Sequence, residues 1–138
     1  MEFKHILIVD DEPGFTHLLK LALENAGHFL VREENDGLQA LKTAREFKPD
    51  IIFLDVVMPN IDGGDVATMI RADPEFARTP IIFLTAIVSQ KEATRQESVI
   101  GGYTFLAKPV TVDALVRCIA EHISITPPEG AGSRPAPR

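Results

Sequence analysis

The chain has 138 residues, 45% hydrophobic and 25% charged, which fits one globular domain that can bury a core without disulfides or a structural metal. Its single cysteine, Cys118, has no partner for an internal disulfide, and the histidines at positions 5, 17, 28 and 122 do not follow a zinc-ligand spacing. A net charge of −6 argues against direct nucleic-acid binding, and without a signal peptide or a membrane-length apolar run we expect a cytoplasmic protein.

Five short apolar segments are predicted to be β-strands. Three of them, His5–Val9, Ile51–Leu54 and Ile81–Leu84, are β-branched and nearly continuous, which is typical of strands buried on both faces of a parallel sheet. Weaker candidates at Phe29–Glu33 and Tyr103–Ala107 complete the set. A segment with helix signals follows each strand, so the order is strand then helix, five times.

The helix signals are N-capping residues, helical spacing of apolar residues, and glycine or proline at the ends. The fourth helix opens with a capping box but carries few apolar residues, so we expect it to pack loosely. The predicted helices are Gly14–Asn25, Asp36–Phe47, the segment that follows Asp62-Gly63-Gly64 and ends before Pro74, the segment from Ser89 to before Gly101, and Thr111–Ile123.

Strands that alternate with helices imply right-handed βαβ crossovers and helices on both faces of one parallel sheet. We expect this α/β domain to span residues 1–125. Residues 126–138 hold four prolines and no apolar period, so we expect a disordered tail or a truncated linker there. In folds of this class, ligands bind beyond the carboxyl ends of the strands, which is where a site is expected.

Polar residues stand at four of the five predicted strand ends. Asp10 and Asp11 follow the first strand, Asp55 follows the third, Thr85 closes the fourth, and Lys108 closes the fifth. Each has an ordinary structural interpretation, such as a helix cap, a turn or a surface residue. Their coincidence at one edge of the sheet favours a functional site.

These residue types point to phosphate chemistry. Three clustered carboxylates repel one another, and a cation would neutralise them. Oxygen ligands without histidine or thiolate suit a hard ion, with Mg²⁺ the best match. Beside that ion, Lys108 can neutralise the oxygens of a phosphoryl group while Thr85 donates a hydrogen bond to one of them. One of the carboxylates would then be the nucleophile.

At these positions the chain resembles the receiver domain of two-component response regulators. The resemblance covers Lys4–Ile123 and includes a glycine, Gly63, after the third strand. It implies a flavodoxin-like (βα)5 three-layer sandwich with a parallel five-stranded sheet of order 2-1-3-4-5, as in single-domain chemotaxis-type regulators. The matching segments are Ile8-Val9-Asp10-Asp11-Glu12-Pro13, Leu54-Asp55-Val56-Val57-Met58-Pro59, Leu84-Thr85-Ala86 and Ala107-Lys108-Pro109.

The resemblance also assigns roles. Asp55 would be the phosphoacceptor and would take its phosphoryl group from a phosphohistidine on a sensor histidine kinase or a histidine phosphotransferase. Asp11, Asp55 and the backbone carbonyl of Val57 would bind Mg²⁺, with Asp10 acting largely through a bound water. The domain would catalyse only its own phosphotransfer and dephosphorylation, so we do not expect an enzyme with a separate substrate.

Output would depend on a switch. Thr85 would move toward the phosphoryl group, and Phe105, at the family's aromatic switch position, would turn inward. Tyr103 is the competing aromatic, but it lies two residues earlier. The change would reach the face of helix 4, strand 5 and helix 5, and from there an unknown downstream protein or a phosphorylation-linked homodimer.

Two departures qualify this prediction. The segment between Thr85 and Lys108 is one residue longer than is usual in the family, near Ile100-Gly101-Gly102. The residues two after Asp55 and two after Thr85 are the apolar Val57 and Ile87. Neither can orient an attacking water, which favours a long-lived phosphoaspartate.

Two other functions stay open. An aspartyl-nucleophile, Mg²⁺-dependent phosphatase of the haloacid dehalogenase type uses similar groups. It usually has a second aspartate two residues after the nucleophile, where this chain has Val57. A receiver-like binding module that is never phosphorylated usually lacks some of the acids or the lysine, and all are present here.

Overall fold

The computed structural model describes residues 2–86 and 103–123, and the backbone of residues 97–100. Within these residues, five strands run parallel in one sheet, and a sixth pairs antiparallel with the last of them at the sheet edge. The strands are β1 Lys4–Val9, β2 Phe29–Glu34, β3 Ile51–Asp55, β4 Ile81–Thr85, β5 Glu97–Ile100 and β6 Tyr103–Ala107.

The sheet order is β2-β1-β3-β4-β6-β5. Its five parallel strands therefore follow the predicted order 2-1-3-4-5, with β6 in the fifth place, and this prediction is confirmed. The central strands β1, β3 and β4 are buried almost throughout, as their continuous apolar sequences predicted.

Four α-helices are present in the described part of the chain: α1 Pro13–Ala26, α2 Ala40–Phe47, α3 Gly63–Ala72 and α4 Val112–His122. Two predicted caps are confirmed. The side chain of Asp36 accepts a hydrogen bond from the Leu38 amide at 3.0 Å, at a short 3-10 turn before α2. Thr111 accepts one from the Ala114 amide at 3.1 Å at the start of α4.

The helices form two layers, one on each face of the sheet. Side chains of α1 and α4 pack with one set of strand residues, which includes Ile6 and Ile8. Side chains of α2 and α3 pack with the alternate set, which includes Leu7 and Val9. The predicted three-layer arrangement is confirmed. No helix within the described residues has both the length and the apolar character needed to cross a bilayer.

The predicted fourth helix is wrong at its end. Glu97–Ile100 forms a strand, with Ile100 opposite Tyr103. The sequence supports this outcome, because β-branched Val99 and Ile100 favour strands and two glycines separate them from β6 at hairpin spacing. The start of that predicted helix, at Ser89, and the predicted tail at 126–138 lie outside the described residues.

Gly63 is the first residue of α3 and lies against the end of β3. Its amide donates a hydrogen bond to the carbonyl of Val56 at 2.8 Å. A Cβ at this position would overlap the backbone carbonyl oxygen of Asp55 and lie 3.0 Å from the Cα of Val56. Because both neighbours are backbone, neither can move aside cheaply. The close approach of α3 to the backbone of Asp55 and Val56 explains why position 63 is a glycine.

We expect Gly63→Ala to lower the free energy of unfolding by about 2 kcal/mol or more, because the new methyl group forces β3 and α3 apart. Gly64→Ala is the matched control, since nothing lies within 4 Å of a Cβ there. That substitution should stabilise the helix by up to about 1 kcal/mol. Urea unfolding measures both, and equal effects would contradict the steric explanation.

Candidate functional site

The structure brings all five predicted strand-end residues to one edge of the sheet. Asp10 directly follows β1, Asp55 ends β3, Thr85 ends β4 and Lys108 directly follows β6, while Asp11 comes one residue after Asp10. Because β1, β3, β4 and β6 are successive parallel neighbours, their carboxyl ends stand side by side. The residues are far apart in sequence, and the sheet register makes them neighbours.

The three aspartates form a compact acidic cluster. Asp10 is fully buried and Asp55 is 7% exposed, while Asp11 is partly exposed. One carboxylate oxygen from each lies within 4.8 Å of the other two. All three residues offer oxygen ligands, so the cluster suits a hard divalent cation.

Lys108 supplies the opposing charge. Its Nζ donates hydrogen bonds to Oδ2 of Asp10 at 2.7 Å and to Oδ1 of Asp55 at 3.3 Å. Its backbone amide donates to the carbonyl of Thr85 at 2.9 Å, which fixes the strand end that carries the side chain. Burial by itself would lower the pKa of Lys108, but the hydrogen bond and charge of Asp10, with those of Asp55, hold the pKa above its ordinary value.

The environment makes Asp55 harder to ionise than an ordinary aspartate. Burial raises its pKa, and the nearby charge of Asp10 raises it further, with a smaller contribution from Asp11. Lys108 acts in the opposite direction and compensates only in part. A buried carboxylate with a raised pKa at the edge of a parallel sheet is typical of a functional group.

Asp10 is anchored by its neighbours in the chain and in the sheet. Its amide donates to the carbonyl of Glu34 at 3.1 Å, and its Oδ1 accepts from the Glu12 amide at 3.0 Å. The side chain of Asn35 donates to the Asp10 carbonyl at 2.7 Å. The strand-end pattern does not predict Asn35, although its position just after β2, the neighbour of β1, could have indicated the contact.

The site opens to solvent through a cleft of about 320 Å³. Val57 is 58% exposed at this cleft, so its side chain is accessible to a water or a ligand. The role of its backbone carbonyl as a metal ligand stays a prediction, and Ile87 lies outside the described residues. The lining residues are Asp11, Glu12, Asp55, Val57, Thr85, Ala86 and Lys108.

Thr85 and Phe105 lie on the same face of the sheet. Phe105 is opposite Phe83 in the register of β4 and β6, and Thr85 is two residues beyond Phe83 on the same strand. The rings of Phe105 and Phe83 stack at 5.1 Å, and Tyr103 meets Phe83 edge to face at 5.2 Å. Phe105 is partly buried, so its ring has contact with both the core and solvent.

Phe15 is a second contact that the strand-end pattern does not predict. It lies in the first turn of α1, and Nζ of Lys108 is 4.6 Å from its ring centroid. Its apolar character and helical spacing indicate only a core residue. The contact with Lys108 depends on how α1 packs beside the end of β6.

Comparisons with known proteins agree with this fold. A family model for the response regulator receiver domain matches residues 6–120. Protein PilH of Pseudomonas aeruginosa is 33% identical over 117 residues, which are 83% of this chain and 93% of PilH. The DNA-binding dual master transcriptional regulator RpaA of Synechocystis sp. is 34% identical over 111 residues, 80% of this chain but 45% of RpaA.

Among solved structures, the chemotaxis protein CheY4 of Vibrio cholerae aligns with a TM-score of 0.74 at 26% identity, over 88% of this chain and 99% of CheY4. The family match spans every strand-end residue described above, from Asp10 to Lys108. The chain therefore belongs to the response regulator receiver domain family of two-component signalling systems.

Proposed function

We propose that this protein is a phosphorylation-operated switch in which Asp55 accepts a phosphoryl group from a phosphohistidine. Membership of the receiver family supports a phosphoacceptor function in general. The observation that supports Asp55 as the acceptor is the position of its carboxylate, which lines an open cleft and accepts a hydrogen bond from Lys108 at 3.3 Å. The donor would be a sensor histidine kinase or a histidine phosphotransferase.

In the proposed step, an oxygen of Asp55 attacks phosphorus, the phosphorus–nitrogen bond to the donor imidazole breaks, and the nitrogen keeps the bonding electrons. The product is an acyl phosphate on Asp55. The ammonium of Lys108 moves from Asp10 to a phosphoryl oxygen, and the hydroxyl of Thr85 donates to another. The protein acts only on itself and does not turn over a separate substrate.

Mg²⁺ is the proposed cofactor. The carboxylates of Asp11 and Asp55 and the backbone carbonyl of Val57 would hold it, with Asp10 acting through a bound water. The fit rests on three clustered carboxylates, with one oxygen from each within 4.8 Å of the other two, beside the ammonium of Lys108. When bound, the ion neutralises charge on the carboxylates and the phosphoryl oxygens.

The proposed relay runs from Thr85 to Phe105. Movement of the Thr85 side chain toward the phosphoryl group would leave space beside Phe83, and the ring of Phe105, which stacks on Phe83, could turn into it. A phenylalanine has no hydroxyl, so the switch would be steric. The change would alter the face formed by β6 and α4, which are the predicted fifth strand and fifth helix, together with β5. A downstream protein or a second phosphorylated copy would bind there.

Incubation with Mg²⁺ and acetyl phosphate should add the mass of one phosphoryl group to the intact protein. Asp55→Ala should abolish the addition because the nucleophile is gone, whereas Asp65→Ala, at an exposed aspartate in the first turn of α3, should not. Phosphate release far beyond one equivalent per protein would indicate a phosphatase instead. No addition to the wild type would favour the binding module.

Asp55→Asn should raise the thermal unfolding midpoint in the absence of Mg²⁺ by a few degrees at neutral pH. The pKa of Asp55 is higher in the folded protein than in the unfolded chain, so the folded state binds this proton more tightly. Ionisation of Asp55 therefore destabilises the fold at pH values above the folded-state pKa. The destabilisation disappears at pH values below the ordinary pKa of aspartate, where both states are protonated.

Mg²⁺ should stabilise the wild type and have much less effect on Asp55→Asn, because the variant lacks one ligand charge. Thermal scans with and without the ion measure both effects. Asp65→Asn is the charge-matched control and should respond to Mg²⁺ like the wild type. The same Mg²⁺ response in Asp55→Asn would remove Asp55 from the ligand set.

Val57→Asn should shorten the lifetime of the phosphoaspartate. An amide at this exposed cleft position can hydrogen-bond the hydrolytic water, and one bond of about 1 kcal/mol corresponds to roughly a fivefold faster loss. Phosphate release from purified phosphoprotein measures the lifetime, with Val57→Ile as the apolar control. Equal lifetimes in all three proteins would refute the idea.

A further inference from the structure

Lys108 contacts an aromatic ring as well as two carboxylates. Its Nζ is 4.6 Å from the ring centroid of Phe15, 2.7 Å from Oδ2 of Asp10 and 3.3 Å from Oδ1 of Asp55. The Lys108 side chain is 17% exposed, so much of its surroundings is protein. At this distance the negative face of the ring attracts the ammonium, and partial burial strengthens the attraction.

Phe15 lies in the first turn of α1, and its side chain packs against the core. Its backbone amide donates to the carbonyl of Glu12 at 3.1 Å, and Pro13 begins the helix, so the first turn of α1 is well defined. The ring is partly buried and packs against the core between α1, α4 and the sheet. This packing places the aromatic face beside the end of β6.

This contact matters because phosphotransfer requires Lys108 to exchange partners. Its shorter hydrogen bond is to Asp10, and that carboxylate resists the departure of the ammonium toward a phosphoryl oxygen on Asp55. The attraction of a ring face does not depend on which oxygen accepts the hydrogen bond. The ring can therefore keep the ammonium in the site throughout the exchange.

We infer that Phe15 is a positioning residue for phosphotransfer, whose ring face holds the Lys108 ammonium between Asp10 and the phosphoryl group on Asp55. The inference rests on the proposed function, because it concerns how fast Asp55 is phosphorylated. It assigns Phe15 a contribution that an aliphatic residue of similar size cannot make.

The test replaces Phe15 with phenylalanines that carry one, two and three ring fluorines. Fluorine weakens the negative face of the ring and changes its shape little. The maximal rate of phosphorylation by acetyl phosphate, with saturating Mg²⁺, should fall stepwise with fluorine number, by roughly three- to tenfold over the series. Phe15→Leu should show a loss as large as that of the trifluoro variant.

Phe29 is the matched control. It is 3% exposed in the same core cluster, but it lies at the start of β2, opposite Lys4 and at the far end of the sheet from the site. The same fluorinated residues at position 29 should leave the phosphorylation rate unchanged, and Mg²⁺ affinity should be constant in both series.

Three results decide the matter. A stepwise fall at position 15 with a flat series at position 29 supports the inference. Equal rates throughout the position-15 series, in a protein that is phosphorylated on Asp55, overturn it and leave the proposed function intact. A wild-type protein that takes up no phosphoryl group overturns the proposed function, and the inference with it.

Discussion

The bonds from the Lys108 ammonium to Asp10 and Asp55 are the interaction on which the rest of the site depends. Three carboxylates stand at one sheet edge, two of them buried, and without a positive charge between them their repulsion would open the edge. Lys108 joins the ends of β1 and β3 to the end of β6 and offsets part of that repulsion. Burial, with the charge of Asp10, still holds the pKa of Asp55 above its ordinary value. The clustered carboxylates offer the oxygen ligands that suit a hard divalent cation.

Such a cluster can persist because the strands beneath it are firmly packed. Strand β3 and most of β1 are buried on both faces, by different pairs of helices, so their carboxyl ends have little freedom to move apart. Gly63 extends this constraint, because α3 begins in contact with the backbone of Asp55. The rigid apolar layers thus fix the distances between carboxylates that repel one another. Part of the free energy gained by core packing offsets this repulsion.

The antiparallel strand β5 changes the surroundings of the proposed switch residue. Phe105 lies between Phe83 on β4 and Ser98 on β5 in the sheet register. Where the sequence predicted the end of a helix, the edge of the sheet beside β6 carries a sixth strand. If the Phe105 ring turned, it would do so on a strand that is paired with β4 on one side and with β5 on the other. The extra residue noted before Lys108 falls in this region, next to the strand that was predicted as a helix.

The sequence by itself determined the caps at Asp36 and Thr111 and the polar residues at the strand ends, because these follow from local patterns. It gave the strand order only through the resemblance of its short motifs to the receiver family. Tertiary structure decided which groups touch. Lys108 bonds more closely to Asp10, 98 residues away, than to Asp55, and it also contacts the ring of Phe15. Those contacts depend on register and helix packing between segments distant in the chain, which no local pattern encodes.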